Sequence, residues 1–215
     1  MPSSRPPAAS ARSRSETLAL ADYQRITADP LECGHVRAFI GLGGNLGEPA
    51  VAFRAAVAEL RGIGLVTRVS SLYESAPRDS LDQPRFLNAA LELETDLPPA
   101  DLLDQLKRLE LALGRNPQGR RWGPRVIDLD ILAFDGRCVT DPEHDLIVPH
   151  PRFHERRFGL EPVAELDPSL RPWRNCSDLR VEVSVADLLA TVANQEVHRV
   201  GGPDWADPLS RGGLS

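Results

Sequence analysis

The stretch Val126-Ile-Asp-Leu-Asp-Ile-Leu-Ala-Phe134 decides how the chain reads. Successive strand side chains point to opposite faces, so Ile127, Leu129 and Ile131 fill one face while Asp128 and Asp130 share the other. Aspartate is disfavoured in strands, so its double use inside an apolar run needs a reason. A polar, arginine-rich loop over 115–125 precedes this strand. Before the loop, Pro98 and Pro99 open a helix with an apolar face of Leu102, Leu103, Leu106, Leu109 and Leu113, closed by Gly114. Further upstream, Leu65–Tyr73 and Phe86–Leu93 read as strands joined by a loop with prolines at 77 and 84. Val36–Leu42 reads as a first strand running into the turn Gly43–Gly47. Glu48 and Pro49 then begin a helix that carries Val51, Ala55, Ala58 and Leu60 to Gly62. Strand, helix, strand, strand, helix, strand is the split βαβ, ferredoxin-like order: an α+β sandwich with an antiparallel sheet and helices on one face.

Downstream of Gly136, prolines at 142, 149, 151, 162, 168 and 172 predict a loop-rich C-terminal extension with one short helix over Val185–Ala193. Residues 201–215 read as a loose tail. Residues 1–35 read as a disordered N-terminal tail, with Arg5, Arg12 and Arg14 among Ser, Pro and Ala and no apolar stretch of the kind a secretory signal needs. A single domain over 36–200 is expected, because 215 residues leave no room at either end for a second enzyme.

The charge balance of 25 basic against 31 acidic residues, net −6, speaks against general nucleic-acid or membrane-surface binding. Lys107 is the only lysine, so nearly all the positive charge is guanidinium, whose planar fork suits phosphate. Cys33, Cys138 and Cys176 are scattered, with no C-x-x-C pair, and support neither a zinc site nor a disulfide framework. The expected setting is the cytoplasm. No apolar run approaches the length of a membrane span.

On their shared face, Asp128 and Asp130 stand about 7 Å apart at Cα and repel unless a cation lies between them. Paired Mg²⁺ ions, typically about 3.5–4 Å apart, suit such a pair; so does a solvent-facing edge strand that merely carries two acids. The neighbouring Arg115, Arg120, Arg121 and Arg125 favour the first alternative. Acids holding metal beside several guanidinium groups form a polyphosphate cradle, although each arginine singly could make an ordinary surface ion pair. A second dense patch, Pro149-His-Pro-Arg-Phe-His-Glu-Arg-Arg-Phe158, places Arg152, Arg156 and Arg157 near a possible phosphate and Phe158 near a possible flat ring. His150 and His154 have a metal-binding spacing on a helix, but Pro151 argues against regular helix there. The glycine turn matches neither a dinucleotide fingerprint, whose third glycine position is Leu46, nor a P-loop; it reads as strand-to-helix packing.

Five segments in order resemble the hydroxymethyldihydropterin pyrophosphokinase family of folate synthesis. They are Gly41-Leu-Gly-Gly-Asn-Leu-Gly47, Ser71-Leu-Tyr-Glu-Ser75, Asp82-Gln-Pro-Arg-Phe-Leu-Asn-Ala-Ala90, Arg121-Trp-Gly-Pro-Arg-Val-Ile-Asp-Leu-Asp-Ile-Leu132 and Val148-Pro-His150. The resemblance spans about Val36 to Trp173. It implies that Asp128 and Asp130 hold two Mg²⁺ ions on the triphosphate of ATP, and that Arg115 and Arg125 stabilise charge during transfer. It places Arg121 and Trp122 in a lid over ATP, His150 and Arg156 on phosphate oxygens, and Glu110 and Ile131 beside the nucleoside. The pterin is expected between Phe86 and Phe158, read by Asn88 and by backbone near Ser75 and Arg78. Pro117 stands where the family often has a second arginine, Lys107 where it often has glutamine, and Pro151 where it often has tyrosine. ATP and a small pterin alcohol are the expected partners, with no nucleic acid, no membrane and a monomeric chain. Two other readings keep the fold: a non-catalytic nucleotide-sensing module, which needs no pterin pocket, and a nucleic-acid-binding domain, which needs aromatics on a basic sheet face.

Overall fold

A computed structural model describes residues 35–78, 82–119, 123–174, 176 and 182–207. Five strands carry the expected order, interrupted by two helices: β1 (Val36–Gly44), α1 (Pro49–Leu60), β2 (Leu65–Val69), β3 (Leu72–Ser75), β4 (Phe86–Thr95), α2 (Pro99–Ala112) and β5 (Asp128–Phe134). All pairings are antiparallel; β5, β1, β4 and β3 lie side by side, and β2 shares the β4 edge with β3. The expected single strand Leu65–Tyr73 is two strands. At Ser70 the side-chain hydroxyl, not a backbone carbonyl, accepts the Ala90 N–H at 2.9 Å, and the ladder breaks there. Ser71 then donates through both N and Oγ to Glu165 at 2.8 Å.

The helix side of the sheet matches the alternation: Ile127, Leu129 and Ile131 are buried with Ile40, Leu42, Leu91 and Leu93 under α1 and α2. The buried stripe of α1 is Phe53, Ala56, Val57 and Leu60; Val51 faces solvent, so the expected face is rotated.

Three expectations for the C-terminal part need correction. The helices do not keep to one face of the sheet. A hairpin, β6 (Val139–Asp141) with β7 (Leu146–Val148), is followed by α3 (Arg157–Leu166) and α4 (Val185–Thr191), which cover the other side of the sheet over Phe39, Ala90, Leu132 and Ala133. Pro162 lies inside α3 and hides it from sequence patterning, because an interior proline costs one helix hydrogen bond and reads as a breaker. Cys138 and Cys176 form a disulfide across Cα atoms 5.3 Å apart, although the scattered cysteines gave no sign of pairing. Cys33 lies outside the described residues.

The loose tail does not begin at 201. Strand β8 (Val197–Gly201) pairs with β3 and extends the sheet. Beyond it, Trp205 is buried: its Nε1 donates to the Ser70 carbonyl at 2.8 Å, its ring meets Phe53 edge-on at 6.1 Å, and Arg54 Nε donates to its carbonyl at 2.9 Å. Trp205→Ala is therefore expected to destabilise the chain by about 3–5 kcal/mol, the usual cost of emptying a buried aromatic site; a thermal melt checks it, and a shift under 2 °C would contradict the docking.

Candidate active site

Glycines in the centre of the sheet make the floor. In the β1–β5 register Gly41 faces Asp130 and Gly43 faces Asp128, and in the β1–β4 register Gly43 faces Asn88. With no β1 side chain between them, the two aspartates and Asn88 look into one open pocket. A Cβ on Gly43 would meet only Asn88 Oδ1 and Asp128 Cβ at about 4 Å and would point into that space. The strand-to-helix packing expected for this run is not what makes Gly44 necessary: a Cβ there would sit 2.5 Å from the Val126 carbonyl, just before β5, and only at ordinary contact, 3.4 Å, from Pro49 at the start of α1.

Asn45, which sequence reasoning passed over, ties three loops at the rim. Its Oδ1 accepts the Arg125 N–H at 2.9 Å, and its Nδ2 donates to Gln83 Oε1 at 3.1 Å and to the Pro84 carbonyl at 3.0 Å. Its backbone N donates to the Arg125 carbonyl at 2.9 Å. It stands within the Gly41–Gly47 run, but its partners lie 38 to 80 positions away, so the run by itself does not show what Asn45 ties together.

On the acidic side, Asp128 Oδ1 meets Arg115 at 2.7 Å and Oδ2 meets Arg125 at 2.6 Å. Arg115 also pairs with buried Glu110, which accepts the Leu129 N–H at 2.6 Å and meets Lys107 at 3.4 Å. Burial pushes the Glu110 carboxyl up, against the pull of Lys107, the Leu129 amide and Arg115. Burial, and then the Asp128 charge, push the Asp130 carboxyl up to about 6. Asp130 therefore holds its proton more tightly than a free carboxyl, and a cation beside it would favour the ionised form. Among the described residues no group of three or more His, Cys, Asp or Glu could hold a metal by itself. Two carboxylates and no third ligand suit Mg²⁺, which takes one or two carboxylates and completes its shell with substrate phosphates and water.

Residues of 150–159 add a further part of the lining. His150 lines the pocket, and burial, then Arg156, lower its pKa to about 4, so the ring is neutral at physiological pH. Its Nδ1 accepts the Arg152 N–H at 3.2 Å, which leaves the ring proton on Nε2 as a donor. The Arg156 guanidinium lies 5.6 Å from the centre of the Phe158 ring. His154 instead sits edge-on to Trp173 at 5.9 Å, away from the pocket lining, so the two histidines form no metal site. Phe86 and Phe158 both line the pocket; Asn88 is buried, with Nδ2 donating to Ser75 Oγ at 2.9 Å, and Arg78 reaches the Glu155 carbonyl at 2.8 Å.

Of the sequence-predicted site residues, Ser75, Arg78, Phe86, Asn88, Arg125, Asp128, Asp130, His150, Arg156 and Phe158 line this one pocket. Arg115 joins through Asp128. Glu110 and Ile131 are buried and not part of the lining; the Ile131 side chain packs in the core beneath the helices. Arg121 and Trp122 lie outside the described residues.

Comparison with known proteins agrees with this architecture. The family model described as 7,8-dihydro-6-hydroxymethylpterin-pyrophosphokinase (HPPK) matches residues 39–168. A 2-amino-4-hydroxy-6-hydroxymethyldihydropteridine pyrophosphokinase of Methylorubrum extorquens is 45% identical over 137 residues, covering 62% of this chain and 84% of the relative. The enzyme of that name from Bacillus subtilis is 46% identical over 131 residues, covering 60% of this chain and 77% of the relative. Among solved structures, wild-type Plasmodium falciparum HPPK-DHPS with pteroate superposes with a TM-score of 0.55 at 13% identity, over 74% of this chain and 45% of that one, which speaks to the fold alone.

Proposed function

The chain belongs to the 7,8-dihydro-6-hydroxymethylpterin-pyrophosphokinase family, and from that premise we infer that it transfers diphosphate from ATP to the hydroxymethyl group of 6-hydroxymethyl-7,8-dihydropterin, releasing AMP, in folate biosynthesis. The observation that carries the reading is one pocket lined both by a carboxylate–guanidinium cluster and by buried Asn88 with Phe86 and Phe158. A nucleotide-sensing module has no use for the second half. The acids on the sheet face do not suit a nucleic-acid-binding domain.

In this reading Asp128 and Asp130 would hold two Mg²⁺ ions, and the metal would supply positive charge for the triphosphate oxygens when bound. Arg115 and Arg125 neutralise Asp128 in the ligand-free site, and they exchange that partner for phosphate when ATP arrives. His150 donates from Nε2 to a phosphate oxygen and Arg156 adds charge. Arg121 and Trp122 belong to a lid over ATP, and Glu110 and Ile131 act from behind the nucleoside side. The pterin stacks between Phe86 and Phe158, with Asn88 at its amide edge and Ser75 and Arg78 at the rim. The hydroxymethyl oxygen attacks the β-phosphorus in line and AMP leaves; positioning and electrostatics carry the rate. The chain acts as a monomer in the cytoplasm. No helix among the described residues is long and apolar enough to cross a membrane.

AMP release by the purified chain should require ATP, Mg²⁺ and the pterin alcohol together; release without the pterin would sink the reading. Phe158→Ala should raise the pterin KM far more than the ATP KM, through loss of roughly 1–3 kcal/mol of stacking. Steady-state kinetics with each substrate varied check this, and equal rises in both constants would make Phe158 a packing residue.

A further inference from the structure

The pocket wall 155–158 is held from a distance. Arg156 stands in extended backbone, with φ −120° and ψ 101°, between a 3-10 turn at Phe153–Glu155 and the start of α3, and its side chain makes no cap for the helix. The first N–H of α3 therefore needs a partner from elsewhere. Gln195 supplies it: Oε1 accepts the Arg157 N–H at 3.0 Å, while Nε2 donates to the Glu155 carbonyl at 2.8 Å. One side chain thus brackets Arg156 from both flanks. Arg157 answers by donating to the Ala193 carbonyl at 2.8 Å and the Gln195 carbonyl at 3.0 Å. The next residues reach the other walls. Glu196 accepts from Arg85, adjacent to Phe86, at 2.8 Å, and Val197 pairs with Ser75 at the start of β8.

We propose that Gln195 is a positioning residue for the pterin side of the pocket, capping α3 and fixing where its first turn presents Arg156 and Phe158. The proposal rests on the pyrophosphokinase reading for its substrate. Gln195 does not line the pocket and lies beyond the 39–168 span matched by the family model. Its influence passes through the backbone of 155–157. The chemistry asks for a primary amide, since one donor and one acceptor are needed about one residue apart along the wall. Alanine supplies neither, and glutamate keeps the capping acceptor while losing the donor.

The test uses the full chain with Gln195→Ala and Gln195→Glu. Gln195→Ala should raise the pterin KM about five- to tenfold, the scale of one or two lost hydrogen bonds, with a smaller rise of about two- to threefold in the ATP KM through Arg156, and kcat within about twofold of the parent chain. Gln195→Glu should recover at least half of that loss. Amide exchange at 157–159, read without substrate, should be faster in Gln195→Ala. An unchanged pterin KM, or rises in both KM values with a fall in kcat that track a lower Tm, would overturn the assignment. Unchanged amide protection would overturn it even with no activity measured. A parent chain that makes no AMP would instead overturn the enzymatic reading.

Discussion

Asp128→Asn and Asp130→Asn are each expected to lower kcat about 10²- to 10³-fold, because each removes a charge opposing the metal and the triphosphate. Stability should not follow activity at position 130. The folded-state pKa of Asp130 is raised above the value of 3.8 for an unperturbed side chain, to about 6. The native state therefore binds the proton more tightly than the unfolded chain does. The stability lost as pH rises through this window is fully lost above about pH 6. Removing the charge by Asp130→Asn relieves that cost, so at pH 8 without Mg²⁺ the variant should melt no lower than the parent. Asp128→Asn takes the carboxylate from Arg125 and one of two from Arg115, which keeps Glu110, and should melt lower. Calorimetric titration with Mg²⁺ and a non-hydrolysable ATP analogue should show both variants binding weakly. Near-parental kcat in either variant would remove the two-metal assignment.

Arg115→Ala is expected to damage fold and rate together. Arg115 spans buried Glu110 and Asp128, whereas Arg125 meets Asp128, which is itself partly exposed. Deleting one partner of a buried pair leaves a charge with too little compensation, which usually costs 3–5 kcal/mol. Lys107 and the Leu129 amide still serve Glu110 here, so about 2–3 kcal/mol is the expected loss for Arg115→Ala. The companion Arg125→Ala should lower kcat while shifting Tm far less. The double variant Arg115→Ala with Glu110→Gln should recover Tm but not kcat, since it removes the stranded carboxylate without restoring a cation for the phosphates. Chemical denaturation of the four chains, beside their kinetics, reads both effects. Recovery of kcat in the double variant would assign Arg115 a purely structural task.

What could be read ahead of the structure was what depends on near neighbours. Alternation alone placed Asp128 and Asp130 opposite Ile127, Leu129 and Ile131, and both faces are as expected. The proline pair at 98–99 and the glycine at 114 bounded α2 for reasons internal to one helix. Features set by distant partners were hidden. The break at Ser70 depends on Ala90, twenty positions on. Trp205 looked like part of a tail because its partners, Phe53 and Ser70, are about 150 and 135 residues upstream. The glycines at 41 and 43 carry no signal of a pocket floor until the register sets them against Asp130 and Asp128. Asn45 and Gln195 act only through loops brought together by the fold. Pro162 concealed α3 for a local reason, since a proline can occupy a helix whose packing face, Leu160, Val163 and Leu166, repays the missing bond.

The most direct measurement follows the phosphates themselves. With ATP labelled at the β-phosphorus in one sample and at the γ-phosphorus in another, both labels should appear in the pterin product and neither in the nucleotide that leaves, which should be AMP. Label from the γ-phosphorus alone in the product, with ADP as the leaving nucleotide, would contradict diphosphate transfer.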